Sequence, residues 1–190
     1  RTDDARLTIE VMKAAVSRGA VAINYIEAAS FIYESGKIKG AHVRDKINGE
    51  EHVIIANYVI NAGGPWVDVI DDLDEKKNKH KLQITKGIHL VVDWKKLPVK
   101  QSAYFDTYDK RMLFVIPREG KTYIGTTDTF YSGDLAHPTI RNEDRDYVLK
   151  CANNYFPDSI LKPSDIESGW CGLRPLVSMP GRKPTEISRK

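Results

Sequence analysis

The sequence predicts an α+β fold in which an α/β part gives way, near Trp66, to a largely antiparallel part. Three observations predict it. A helical segment runs straight into an apolar extended one before residue 26. Three further extended runs follow, with Asn48-Gly49 between two of them. From Leu82 onward, four alternating segments succeed one another before another helix.

Taken in order, residues 3–18 form an amphipathic helix. Asp3 or Asp4 can cap it, and Leu7, Val11, Ala14 and Ala15 fall on one face. Gly19 stands where a helix C-terminus favours glycine. Residues 20–25 read as a buried strand, half of an α/β unit. A meander follows over 29–33, 38–44 and 52–58, broken by Ser35-Gly36-Lys37 and by Asn48-Gly49, the strongest short hairpin signal. Residues 58–61 are apolar and β-prone and lead into Ala62-Gly63-Gly64-Pro65-Trp66. Pro65 is placed for the first turn of a helix through Ile70. Strands are then expected over 82–93, 102–106, 111–117 and 122–126. A helix over 142–156 carries Glu143 and Asp144 in its first turn, where the helix dipole favours acids. An extended segment spans 165–177.

The whole chain narrows the function classes. A length of 190 residues suits one domain, or a small domain with part of another, and 41% apolar residues suffice for a core. The longest uncharged apolar stretches run only a few residues, as at Val53-Ile54-Ile55-Ala56, whereas a spanning helix needs about 20. The start shows no signal-peptide pattern. A formal charge of +3 is too small to argue for nucleic acid, and none is expected as a partner. Lysines at 76, 77, 79 and 81 follow the acidic run Asp71-Asp72-Leu73-Asp74-Glu75, a mixture that suits a solvated loop or a membrane-surface contact. Cys151 and Cys171 lack paired metal spacing and read as ordinary thiols in a reduced compartment, so no metal site is expected. Opening at Arg1 and closing at Ser188-Arg189-Lys190, the chain reads as a segment of something longer.

Four motifs carry possible chemistry, each with a structural alternative. Residues 59–66 join a strand to a helix through small residues, which lets backbone approach a ligand and turns a helix N-terminus toward an anion, or makes only a tight turn. Gly125-Thr126-Thr127-Asp128 ends a strand pair in two hydroxyls and a carboxylate that suit a polyol or phosphate, or the backbone of a turn. Arg174 sits among apolar neighbours in Gly172-Leu173-Arg174-Pro175-Leu176. A buried guanidinium needs a partner, either a bidentate anion or a structural carboxylate. His89, in Lys86-Gly87-Ile88-His89-Leu90, is either a satisfied structural residue or a base of the kind alcohol oxidation needs.

Together with Asp3-Asp4-Ala5-Arg6-Leu7 and Phe114-Val115-Ile116-Pro117, these motifs occur in the order that resembles the flavin-dependent glycerol-3-phosphate dehydrogenases, over essentially the whole chain. The resemblance implies an FAD domain of the glutathione-reductase type, partly contained in residues 1–66 without its Gly-x-Gly-x-x-Gly loop. It also implies an antiparallel substrate-binding domain over 67–190. It implies oxidation of sn-glycerol 3-phosphate to dihydroxyacetone phosphate, with electrons passed to quinone by a cytoplasmic enzyme peripheral to the inner face of the cell membrane. His89 resembles the histidine facing the substrate carbinol, and Thr126 the threonine lining that site. Arg174 and Arg189, the latter in Ile187-Ser188-Arg189, resemble phosphate-gripping arginines expected to converge with them. Ala62, Gly63 and Trp66 match the stretch beside the flavin, and Glu27-Ala28 would lie toward the adenine end. Gly63 stands where some relatives carry another small or hydroxyl residue. An oxidase using O2 shares these motifs. A non-catalytic sugar-phosphate-binding module is the alternative from another class. Without the phosphate loop the segment is expected to hold FAD weakly or not at all, and not to turn over.

Overall fold

In the computed structural model, residues 3–74 and 82–177 are described. By their contacts they fall into two units, residues 3–61 with 73–74, and residues 62–72 with 82–177. The break falls after Asn61 rather than at Trp66. The reason is local: the 3-10 turn Gly64–Trp66 packs against a strand of the second unit.

The first unit opens with α1 (Asp4–Val16), capped by the Asp3 carboxylate, which accepts from Arg6 N at 3.2 Å. Its amphipathic face is uncovered, with Leu7, Val11 and Val16 all exposed. The meander is as expected: β1 (Ile26–Glu34), β2 (Lys37–Asp45) and β3 (Glu51–Ile55) form an antiparallel sheet in that order. Ser35 and Gly36 both take positive φ in the tight turn between β1 and β2. Tyr33 Oη donates to Asp74 Oδ1 at 2.5 Å, which ties the returning residues 73–74 to β1.

Two expected strands are not formed. Residues 20–25 and 58–61 have no ladder partner among the described residues, and Val21, Ile23, Tyr58 and Ile60 are exposed. Apolar, β-prone sequence becomes a strand only where a neighbour takes its backbone N–H and C=O groups.

The second unit begins with the 3-10 turn and α2 (Val67–Asp71), whose Asp68 accepts from Leu82 N at 2.8 Å. The sheet is antiparallel throughout. Its strands are β4 (Leu82–Asp93), β5 (Ala103–Asp106), β6 (Met112–Arg118), β7 (Lys121–Gly125), β8 (Thr129–Phe130) and β9 (Ile166–Val177). The order runs β5-β6-β7-β4, with β8 also on β4 and β9 along almost the whole of β4. The two-residue β8 was not expected, being too short to leave a period.

One face of the sheet is covered by α3 (Asn142–Tyr155). Ile88, Leu90, Val92, Leu113, Val115 and Ile124 from the sheet meet Val148, Leu149, Cys151 and Ala152 from the helix. Burying each large apolar side chain is worth roughly 1.5–3 kcal/mol. The helix start is pinned by a buried ion pair. Lys86 Nζ lies 2.5 Å from Asp144 Oδ2 and donates to Thr139 O, while Asp144 also accepts from Arg141 N. Both cysteines are free. Burial raises the thiol pKa of each above its ordinary value.

Candidate functional site

Side chains alternate across a strand. If Ile88, Leu90 and Val92 face α3, then Gly87 and His89 face the opposite side of the sheet. The register brings partners to that side: Trp170 and Gly125 opposite His89, Phe114 opposite Gly125, Gly172 opposite Gly87, and Arg174 opposite Thr85. The result is a face floored by Gly87, Gly125 and Gly172 and walled by rings and a guanidinium.

His89 is held by packing. Its imidazole stacks on the Trp170 indole with centroids 4.8 Å apart and planes 8° off parallel, and the Phe114 ring stands 5.2 Å away. Beneath it, a Cβ added to Gly125 would come within 2.5 Å of His89 Cδ2, so only glycine leaves room. Nδ1 is buried with no hydrogen-bond partner. Burial, and then the positive charge of Arg174, lower the pKa of His89 to about 4. The ring is therefore neutral near pH 7, the form that accepts a proton.

Arg174 is oriented by the loop that follows β7. Its Nη2 donates to Thr126 Oγ1 at 3.0 Å, its Nη1 donates to Thr127 O at 3.2 Å, and Asp128 Oδ1 lies 3.6 Å from Nη1. That carboxylate oxygen is buried and makes no hydrogen bond, so its tie to Arg174 is electrostatic. The guanidinium lies against the Gly87 backbone, where an added Cβ would be 2.2 Å from Nη1. Thr127 serves the frame: its Oγ1 accepts from Ile88 N at 3.1 Å and donates to Lys86 O at 3.3 Å, locking the loop onto β4.

The structure thus brings His89, Thr126 and Arg174 together on one face. Arg189 lies outside the described residues, as do the lysines at 76, 77, 79 and 81. Ala62, Gly63 and Trp66 sit at the 3-10 turn packed on β9, the strand that bears Trp170 and Arg174. Glu27 and Ala28 are on β1 in the other unit. Glu27 is exposed and ion-paired with Lys46 at 2.8 Å, which holds its carboxyl below the ordinary range. Sequence reasoning gave no part to Trp170, nor to Gly87, Gly125 and Gly172 as a floor. The signal was present in the glycines, because glycine inside a strand marks a close approach. Gly172 is open above, since a Cβ there would meet nothing within 4 Å. Among the described residues no cluster of His, Cys, Asp and Glu could hold a metal ion.

Comparison with known proteins follows the same line. Aerobic glycerol-3-phosphate dehydrogenase of Bacillus subtilis (strain 168) is 54% identical over 190 residues, which is all of this chain and 34% of that protein. The protein of the same name from Staphylococcus haemolyticus (strain JCSC1435) is 52% identical over 192 residues, again 34% of its length. The X-ray structure of the glycerol-3-phosphate dehydrogenase from Bacillus halodurans complexed with FAD superposes with a TM-score of 0.89 at 55% identity, over 94% of this chain and 36% of that one. Glycine oxidase from Bacillus cereus ATCC 14579, at 21% identity and a TM-score of 0.63, shares the fold over 87% of this chain and 42% of its own. The chain spans about a third of the length of the relatives it matches. The family described as FAD dependent oxidoreductase matches residues 1–186, and the chain belongs to it.

Proposed function

We propose that this chain is the substrate-facing segment of an FAD-dependent dehydrogenase that oxidises sn-glycerol 3-phosphate to dihydroxyacetone phosphate. In this reading the first unit is part of the FAD-binding domain and the second is the substrate domain. The observation that carries it is the pairing, on one open face, of a neutral histidine with an arginine pre-oriented by Thr126. The names borne by the relatives, at 50–54% identity over the whole chain, support glycerol 3-phosphate as the substrate.

The residues present fit a planar ring on this face. Gly172 leaves space above the strand, and Trp170 beside it stands partly exposed at 44%. The main phosphate cradle of such a cofactor, a Gly-x-Gly-x-x-Gly turn, is not in this sequence. When bound, FAD supplies the acceptor for the hydride that leaves C2 of the substrate. Arg174 attracts the phosphate by charge-assisted hydrogen bonding and fixes the substrate's long axis. Thr126 keeps that guanidinium in place. His89 takes the proton of the C2 hydroxyl, so that carbonyl formation at C2 balances loss of one hydride and one proton. Quinone as the final acceptor, and a cytoplasmic enzyme held peripherally at the inner face of the cell membrane, follow from the family resemblance. Among the described residues no helix is long and apolar enough to cross a membrane.

The test is anaerobic addition of glycerol 3-phosphate to the full-length flavoprotein. Bleaching of the flavin band with stoichiometric dihydroxyacetone phosphate is the expected result. An unchanged spectrum would overturn the substrate assignment.

A further inference from the structure

A histidine that works as a base usually has its ring fixed by a hydrogen bond at the other nitrogen, which sets both the tautomer and the plane. His89 has no such bond. Its Nδ1 is buried without a partner, so orientation must come from packing.

Three surfaces touch the ring. Gly125 sits below it, Phe114 leans on it at 37°, and Trp170 lies parallel to it at 8°. Of these only Trp170 matches the imidazole plane to plane. The indole is itself braced edge-on by Tyr123, with centroids 5.2 Å apart and planes at 80°, and it is the register partner of His89 on β9. Yet Trp170 is 44% exposed and does not belong to the buried cluster under α3. A large aromatic placed there contributes little to the core. What it does is wall one side of the histidine.

We propose that Trp170 is the positioning residue for His89, its indole fixing the imidazole plane and keeping water from that face of the ring. The proposal deepens the reading of His89 as the base and rests on it. Burial is the largest cause of the lowered His89 pKa, and Trp170 supplies a wall of that burial. The groups that face the ring are few. β9 brings Arg174, whose guanidinium is held by Thr126 and Asp128 of the loop after β7, while β7 brings Gly125, with Tyr123 against Trp170, and β6 brings Phe114. On β4, Lys86 points to the opposite side and is tied to Asp144. The positive charge of Arg174 is the second cause of the lowered pKa, and Trp170 substitutions leave it in place.

The experiment compares Trp170→Ala and Trp170→Phe in the full-length holoenzyme. It uses steady-state kinetics across pH and an NMR titration of the His89 ring carbon, assigned with His89→Asn. Trp170→Ala should lower kcat by at least about 10-fold. KM for glycerol 3-phosphate should move by less than about threefold. The titration point should rise by about one unit toward the ordinary histidine value as water enters. Trp170→Phe, which keeps a stacked ring, should restore most of each. A titration point unmoved in Trp170→Ala, or a kcat loss that Trp170→Phe fails to reverse, overturns the proposal. The titration reports on the ring whatever its chemical part. Normal turnover in His89→Asn with a raised titration point in Trp170→Ala would therefore sink the base reading and leave Trp170 as the residue that positions the ring.

Discussion

Thr126 Oγ1 accepts a hydrogen bond from Arg174 Nη2 at 3.0 Å, so a threonine at the end of β7 sets the fork of an arginine on β9. An arginine held this way presents a fixed charge rather than a searching one. Arg174→Ala should weaken glycerol 3-phosphate much more than glycerol, because only the former has a phosphate to lose. Removing one arm of a desolvated charge-assisted pair costs about 2–5 kcal/mol. Arg174→Lys should restore only part, being a point charge without the planar fork. Competition kinetics with the two substrates reads the difference. Equal losses on both would show that Arg174 serves the fold instead.

His89 makes a prediction in rate and another in pH. Replacement by Ala should lower turnover by about 100-fold to 10,000-fold with a smaller change in substrate binding. Since the folded pKa lies near 4 instead of 6.5, the base is already free at neutral pH, and the acid limb of the kcat/KM profile, which reports the free enzyme, should fall near 4. The stability sign follows from proton counting. Between 6.5 and about 4 the unfolded chain binds more protons at this site than the folded one. The protein should therefore lose stability as pH falls through that window, and His89→Gln should flatten the dependence. Denaturant midpoints measured across the window test it.

Much of this was legible because the signals were local. Strand β4 was read from alternation over Leu82–Asp93, and α3 from its capped acidic first turn. The Asn48-Gly49 hairpin needed only two residues. Residues 20–25 and 58–61 were misread because the same apolar sequence needs a neighbouring strand, and no periodicity reports whether one exists. The site was half legible. His89, Thr126 and Arg174 stood out by chemical type, but Trp170 acquires its place only through the β4–β9 register, which no local pattern encodes.

The Lys86–Asp144 pair, with side chains 4% and 7% exposed, joins β4 to the start of α3. Breaking one partner of a buried pair strands the other charge, and Asp144→Ala should cost about 3–5 kcal/mol. The loss includes the cap that Asp144 gives Arg141 N. A double replacement, Lys86→Met with Asp144→Leu, should recover much of this, because no uncompensated charge remains. Chemical denaturation of the parent and both variants decides it. A single mutant as stable as the parent would show that the pair is solvated in solution.

Gly87 offers the cleanest separation of site from fold. A Cβ there would overlap the Arg174 guanidinium, 2.2 Å from Nη1 and 2.6 Å from Cζ, and those are the three closest approaches together with Nη2. They all belong to the far end of a flexible side chain, which can swing aside at little cost to the sheet. Gly87→Ala should therefore leave stability nearly intact while displacing the guanidinium from Thr126, raising KM for glycerol 3-phosphate and sparing kcat at saturation. Gly125→Ala should differ, since its Cβ would also meet Ile88 O at 2.9 Å, a backbone atom that cannot swing away. That variant should lose stability and shift His89 at once. Thermal unfolding and steady-state kinetics on both variants distinguish the two cases. If Gly87→Ala binds substrate like the parent, the position of Arg174 over that glycine is not what the phosphate reads.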